Sequence, residues 1–246
     1  MSSWDNKLAV ILPAYNESKN LRILLRKINK VVPHAHIFVV DDSSPPENSK
    51  ELTSMFSNVK VLTRQKKLGR GSAVLDGFAH ALKNKSLEYF VEMDTDLSHN
   101  PLQIPLLYQT LIDNKAQIAI GSRYLQESKI VKWPVGRIIA SKIINFNLSL
   151  WLGVKLHDFT NGYRMYKRSA VTELVKEGLR EKGFIALSES AYILNRKGYK
   201  IIEVPITFVD RIYGNSTVDA RELSNSLVGA FRIRFRDHSS KRKKSA

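Results

Sequence analysis

Apolar and polar positions along this chain change their spacing at regular intervals. Leu8-Ala9-Val10-Ile11-Leu12 is wholly apolar and stops at Pro13, the pattern of a parallel strand buried on both faces. Leu21, Leu24, Leu25, Ile28 and Val32 then recur at helical spacing. His36-Ile37-Phe38-Val39-Val40 reads as a second buried strand, followed by Asp41-Asp42 and the turn Ser43-Ser44-Pro45-Pro46. A helix from about Asn48 to Phe56 and a strand Val59–Leu62 come next. The following helix has Val74, Leu75, Phe78 and Leu82 on its apolar face. Strand, helix, strand, helix, strand is the signature of a doubly wound α/β sheet.

The second half continues the alternation less regularly. Tyr89–Met93 is a strand, Gln103–Ile112 a helix, and Gln117–Ile120 a strand running into Gly121-Ser122-Arg123-Tyr124. Pro134–Leu152 predicts a long helix, too polar to span a bilayer and flanked by Trp133 and Trp151. It reads either as a core helix with an aromatic at each end or as a helix lying in a membrane interface, where Trp is favoured. Tyr163–Tyr166 is a short strand. Ser169 is placed to cap a helix through Leu174, and Gly198 to close a helix over Ala186–Arg196. Ile201–Val209 reads as one extended segment, put at a sheet edge by Pro205. A polar loop over Asp210–Thr217 leads to a last helix beginning near Asp219. No internal repeat or linker divides the 246 residues, which predicts a single domain.

Composition narrows the function classes. The chain has no cysteine, which excludes disulfide frameworks, thiolate zinc sites and cysteine nucleophiles. The start lacks the basic-then-apolar order of a secretory signal, and no apolar run reaches the roughly 20 residues that cross a bilayer. The net charge of +16 calls for an anionic partner. Arg232, Arg234, Arg236, Lys241, Arg242, Lys243 and Lys244 crowd at the C-terminal end, as a tail drawn to anionic lipid or as a solvated segment. A nucleic-acid or anionic-surface binding module is the rival class. The basic residues are not interleaved with an aromatic surface and no DNA- or RNA-binding motif is present, so no nucleic acid is expected as partner.

The chemistry concentrates in Met93-Asp94-Thr95-Asp96-Leu97-Ser98-His99-Asn100-Pro101. Side chains at i and i+2 of an extended segment point the same way, so Asp94 and Asp96 aim together past a strand's carboxyl end. Open α/β sheets bind ligands there, and paired carboxylates suit a hard divalent cation that bridges to phosphates. The plainer alternative makes Asp96 a helix cap and Asn100-Pro101 an ordinary turn. Glu17, Asp42 and Arg123 stand at other strand ends, and a metal with arginines suits a diphosphate. Gly69-Arg70-Gly71 opens a helix and can bring backbone N–H groups to a phosphate, but is neither a dinucleotide fingerprint nor a Walker loop. His99 is the one histidine close to the aspartates. The hydrolase elbow and the His-Glu-x-x-His zinc motif are both absent. Nucleotide-activated group transfer fits better than hydrolysis or redox chemistry.

These stretches occur in a telling order. Leu12-Pro13-Ala14-Tyr15-Asn16-Glu17, Val39-Val40-Asp41-Asp42-Ser43-Ser44-Pro45, the Asp94-Thr95-Asp96 segment and Gly121-Ser122-Arg123-Tyr124 precede Asn161-Gly162-Tyr163-Arg164-Met165-Tyr166 and Glu203–Arg211. Together they resemble the dolichol-phosphate (polyprenyl-phosphate) mannose synthases among family 2 glycosyltransferases. The resemblance implies a GT-A fold: a Rossmann-like, mostly parallel sheet flanked by helices. It implies a catalytic domain over residues 1–236 with a basic, disordered tail over 237–246. It also implies inverting transfer of mannose from GDP-mannose to dolichyl or polyprenyl phosphate, with UDP-glucose or another sugar nucleotide as the alternative donor.

By the same resemblance Pro13, Tyr15, Glu17, Val40 and Asp42 would hold guanosine. Asp94, Thr95 and Asp96 would bind nucleotide and Mg²⁺ or Mn²⁺, with Asp94 and Asp96 as metal ligands. Arg123 and Arg211 would contact phosphates. Asp96, Arg123, Glu189 and Arg211 form the expected catalytic set. The pattern departs in two places: Thr217 stands where these synthases often have lysine, and Leu187-Ser188-Glu189 stands for their Gln-x-Glu. The enzyme is expected in the cytoplasm, peripheral on the cytoplasmic face of a membrane. Surface helices, the basic tail or a membrane-anchoring partner would bring it there.

Overall fold

Leu8 to Leu12 are fully buried, as an apolar run needs when both faces of a sheet are covered. Their side chains divide by parity. Ala9 and Ile11 enter one core layer, and Leu8, Val10 and Leu12 the other. The computed structural model describes residues 4–44, 56–181, 183–210 and 228–235. Its strands are β1 (Leu8–Ala14), β2 (His36–Asp41), β3 (Val59–Thr63), β4 (Tyr89–Glu92), β5 (Ile118–Ser122), β6 (Lys129–Val131), β7 (Arg164–Lys167), β8 (Ile201–Pro205) and β9 (Thr207–Val209). The helices are α1 (Ser18–Val31), α2 (Arg70–Ala81), α3 (Ile104–Asp113), α4 (Val135–Leu152), α5 (Arg168–Glu177) and α6 (Ile185–Arg196). Residues 228–234 are also helical.

Seven strands form the main sheet in the order β3-β2-β1-β4-β7-β5-β8, and β6 pairs with β9 beside it. All pairings are parallel except those of β7, which runs antiparallel between β4 and β5. Helices α1 and α3 pack on one face through Leu24, Leu25, Ile28, Leu107 and Leu111. Helices α2, α5 and α6 cover the other through Phe78, Val171 and Leu194. The reversed strand has a consequence for the site. Arg164, where β7 begins, sits opposite Glu92 and Ile120 near the ends of β4 and β5. The turn before it, residues 158–163, therefore rises at the edge where β4 and β5 end.

Several sequence expectations change here. The single strand expected over Ile201–Val209 breaks at Ile206. Pro205 closes the pairing with Ser122, and the chain then crosses to β6, whose Lys129 N–H donates to the Ile206 carbonyl at 3.0 Å. β6 itself was not expected. Ser169 does not cap α5: the helix starts one residue earlier, after Lys167, and runs on to Glu177. α4 is not a core helix over most of its face. Only Asn145, Leu148 and Leu152 are buried in it, while Val135, Ile139, Ile143, Phe146 and Leu150 are each more than half exposed. Among the described residues no helix is long and apolar enough to cross a membrane. The helix expected over Asn48–Phe56, the loop and helix start over 211–227, and the basic tail lie outside the described residues, apart from Phe56 itself.

Candidate active site

β1, β2 and β4 run parallel and end at one edge, and each exit passes through a residue with positive φ: Asn16 (57°), Ser43 (72°) and Leu97 (66°). Asparagine tolerates that conformation, whereas leucine adopts it only where its surroundings demand it. Asp96 supplies the demand, since its Oδ1 accepts from the Ser98 N–H at 3.1 Å and the Ser98 hydroxyl at 2.6 Å. The exits are laced together. The Asn16 N–H donates to Ser44 Oγ at 2.9 Å, and the Thr95 hydroxyl to the Pro13 carbonyl at 3.3 Å.

Asp42 folds the loop beyond β3 onto this edge. Its Oδ1 accepts from Arg64 Nη1 and the Leu68 N–H, both at 2.9 Å, and its Oδ2 from the Gly69 N–H at 2.8 Å. Gly69, with φ 94°, precedes α2 and delivers Arg70 into the site. The Arg70 fork reaches Asp94 Oδ1 at 2.7 Å, Glu92 Oε2 at 2.9 Å and the Gly162 carbonyl at 3.2 Å. Burial works against the charge on Arg70, but attraction to Asp94 and then Glu92 outweighs it, raising its pKa above the ordinary guanidinium value.

His99 is buried and acts as a strut. Its Nδ1 accepts the Asp94 N–H at 3.1 Å, so that nitrogen carries no proton, and Nε2–H donates to Asn161 Oδ1 at 2.7 Å. Asn161 Nδ2 in turn donates to the Gly121 carbonyl, which joins the exits of β4 and β5 through one imidazole. Arg123 is gripped by Asp158: Nε and Nη2 donate at 2.7 and 2.8 Å, and the Arg123 N–H at 3.0 Å. Nη2 also donates to the Thr160 hydroxyl at 2.7 Å. Burial opposes both charges, yet the mutual attraction prevails. The Arg123 pKa rises, and the Asp158 carboxyl is held below its ordinary value.

One cleft of about 1160 Å³ opens over these groups. Its polar end holds Tyr15, Glu17, Asp42, Lys67, Arg70, Asp94, Asp96 and Arg123, with the Lys67 ammonium 3.7 Å above the centre of the Tyr15 ring. Its other end, though Ser141 and Asn147 also line it, is largely apolar, walled by Ile144, Leu148, Leu150 and Trp151 of α4, by Phe184 and Ile185, and by Phe231 of the helical segment 228–234. Trp151 ties those helices together, donating Nε1–H to the Ala230 carbonyl at 3.0 Å with its ring centre 4.4 Å from that of Phe231.

The sequence pattern of glycosyl transferase family 2 matches residues 9–175, a span holding the strand exits from Pro13 to Asn161. The chain belongs to glycosyl transferase family 2. Two relatives are similar over most of their length and its own. The polyprenol monophosphomannose synthase of Mycolicibacterium smegmatis is 33% identical over 222 residues, covering 89% of this chain and 83% of the relative. The undecaprenyl-phosphate mannosyltransferase of Micrococcus luteus is 32% identical over 229 residues, covering 92% and 93%. Among solved structures, glucosyl-3-phosphoglycerate synthase from Mycobacterium tuberculosis, in complex with Mn²⁺, UDP and glucosyl-3-phosphoglycerate, matches with a TM-score of 0.66 at 20% identity. That match covers 93% of this chain and 79% of the other. The likeness is one of fold, and the fold is GT-A.

This glycosyltransferase brings Pro13, Tyr15, Glu17, Asp42, Asp94, Thr95, Asp96 and Arg123 to the cleft wall. Two expected residues are not brought there. Val40 is fully buried in β2, in the core layer that covers α2. Glu189 is buried in α6, where its carboxylate accepts the Arg180 and Glu181 N–H groups and so anchors the chain entering that helix. Arg211 and Thr217 lie outside the described residues. Leu187 is buried away from the cleft, its carbonyl accepting Arg164 Nη1 at 2.7 Å. The sequence reading missed Lys67, Arg70, Asp158 and Asn161. Two of them carried a signal: Arg70 in the glycines that flank it, and Asn161 at the head of a stretch that bears the family resemblance.

Proposed function

We propose that this glycosyltransferase moves mannose from GDP-mannose to a dolichyl or polyprenyl phosphate, inverting at the anomeric carbon to give a β-linked mannosyl phosphate. The observation that carries the reading is the continuity of the cleft. A water-soluble sugar nucleotide needs only the polar end, whereas an acceptor with a phosphate head and an isoprenoid tail matches both ends at once. Relatives named for polyprenol monophosphomannose synthesis and undecaprenyl-phosphate mannosyl transfer support mannose as the sugar and a polyprenyl phosphate as the acceptor.

The chemistry needs no general base. A phosphate monoester is largely ionised near neutral pH, with its second pKa at about 6, so the acceptor oxygen is already a nucleophile. It attacks C1 of the sugar, the bond from C1 to the β-phosphate oxygen breaks, and its electron pair leaves with GDP. The protein's share is to hold the two in line and offset negative charge. Asp94 and Asp96 offer oxygen ligands only and would hold a hard cation such as Mg²⁺ or Mn²⁺. Such a cation would supply positive charge at the departing diphosphate. Tyr15, Glu17 and Asp42 are read as the nucleoside end, and Arg123 and Arg211 as phosphate contacts.

The acceptor half of this reading is tested by chain length. With GDP-mannose fixed, a long polyprenyl phosphate should give a kcat/KM at least about tenfold above that of a ten-carbon isoprenyl phosphate, since each buried methylene contributes roughly 0.8 kcal/mol. Equal values would remove the apolar end from the account.

Access to that acceptor is proposed to run along α4, at the cytoplasmic face of a membrane. Val135, Ile139, Ile143, Phe146 and Leu150 form one exposed stripe, with Phe231 and Phe235 exposed beside it and Arg137, Lys142, Arg232 and Arg234 nearby. An apolar stripe with basic flanks suits an anionic lipid surface. Ile139→Glu with Phe146→Glu, neither of which lines the cleft, should weaken binding to anionic vesicles about tenfold or more, given roughly 1.5–3 kcal/mol per buried large apolar side chain. Turnover of the ten-carbon acceptor in solution should stay unchanged. Unaltered vesicle binding would point to the basic tail or to a membrane-anchoring partner instead.

A further inference from the structure

A guanidinium offers its N–H groups along three sides of a plane, and Arg70 commits each side to a different part of the site. Nε goes to Asp94, Nη1 to Glu92 and Nη2 to the Gly162 carbonyl. Glu92 is itself fixed, because its other oxygen accepts the Tyr166 hydroxyl at 2.6 Å. The base of Arg70 is fixed as well, through the bond from Gly69 to Asp42. Gly162 completes the seat. A Cβ there would fall on the Arg70 guanidinium and stand 3.1 Å from Asp94 Oδ1. A buried arginine with a purely structural role could pair with Glu92 by both arms. Here the fork is divided between a buried carboxylate and the one at the cleft.

We propose that Arg70 is a positioning residue for the binding of a nucleoside diphosphate with its divalent cation, acting by fixing the orientation in which Asp94 meets them. The inference rests on the reading of Asp94 and Asp96 as the cation and diphosphate anchor. Glu92, Tyr166 and Gly162 serve it by holding the guanidinium still. A carboxylate fixed in advance binds without first giving up its rotamer freedom.

Calorimetric titration with GDP and with UDP, each in Mn²⁺ and in EDTA, tests this without the acceptor or the sugar. Arg70→Gln should weaken diphosphate binding in Mn²⁺ by about tenfold and change it less than about twofold in EDTA, the ordinary size of a coupling between contacting residues. On an Asp94→Asn background the same change should cost little more, because Arg70 acts through that carboxylate. Arg70→Gln with Glu92→Gln removes both buried charges together, which guards against a variant that fails to fold by leaving Glu92 unpaired. It should show the same Mn²⁺-dependent loss. Equal losses in Mn²⁺ and EDTA, fully additive losses with Asp94→Asn, or unaltered Mn²⁺-dependent binding in the double variant would each overturn the proposal. Which nucleotide the unaltered protein binds bears on the donor. Only the Mn²⁺-dependent loss bears on Arg70.

Discussion

Asp96→Ala is expected to lower kcat/KM for sugar transfer by at least about 10³-fold, equivalent to roughly 4 kcal/mol of transition-state stabilisation. In the proposed reaction negative charge gathers on the departing diphosphate, and Asp96 is one of two carboxylates that anchor the offsetting cation. Removing it leaves that charge poorly held at the moment it forms. The fold should survive. Asp96 lies in the turn after β4, where its Oδ1 organises Ser98 and the positive φ of Leu97. Losing those bonds should cost about 1–3 kcal/mol, a shift of a few degrees in Tm. Steady-state kinetics over a Mn²⁺ series, with a melting curve on the same sample, separates the two effects. Full activity with the metal still required would show that Asp96 is not its anchor.

Asp158→Asn carries the largest expected effect on stability. Asp158 has no exposed surface, and its partner Arg123 is 8% exposed, so the substitution leaves a largely buried guanidinium without its counter-charge. Breaking a buried pair from one side costs about 3–5 kcal/mol. The sign with pH follows from the depressed Asp158 pKa. Burial alone would raise that pKa, and Arg123 more than reverses it. The pair's stabilisation is therefore full above the unfolded-state value of about 3.9 and is lost as pH falls through the lower native value. Denaturant midpoints from pH 7 downward should show the unaltered protein losing stability below about pH 4. The variant should start lower and lose less over that range. Parallel curves would contradict the assignment. The variant should also raise the KM for donor or acceptor, because Asp158 and Thr160 orient the arginine at the cleft.

Particular elements explain what the sequence made legible. β1, β2 and β4 were readable because each is an apolar run ending in polar residues, and a buried parallel strand leaves that mark. The strand-end residues Glu17, Asp42, Asp94 and Asp96 came with them, and Arg123 with β5, since a strand's end places its next residues at the ligand edge; Tyr15 came only from the family resemblance. The direction of β7 was not legible. Four residues signal a strand but not which way it runs, and its direction brings Asp158 and Asn161 beside Arg123 and His99. Arg70 was hidden for a related reason: Glu92, Asp94 and Gly162 lie 22, 24 and 92 residues away along the chain. Glu189 and Val40 were carried over by motif position, and position in a motif does not say which way a side chain faces. For α4, helical periodicity was clear, but the depth of its exposed stripe depended on what packed against it.

The central claim, that the acidic strand ends and the apolar arm serve one transfer between a sugar nucleotide and a lipid phosphate, meets its most direct test in a donor panel. The protein is incubated with Mn²⁺, polyprenyl phosphate and, in separate reactions, labelled GDP-mannose, UDP-glucose and other sugar nucleotides, and each is extracted with chloroform. Label is expected in the organic phase from GDP-mannose, dependent on the lipid phosphate and abolished by Asp96→Ala. Label from UDP-glucose alone would keep the architecture and replace the sugar. No organic-phase label from any donor would contradict the account.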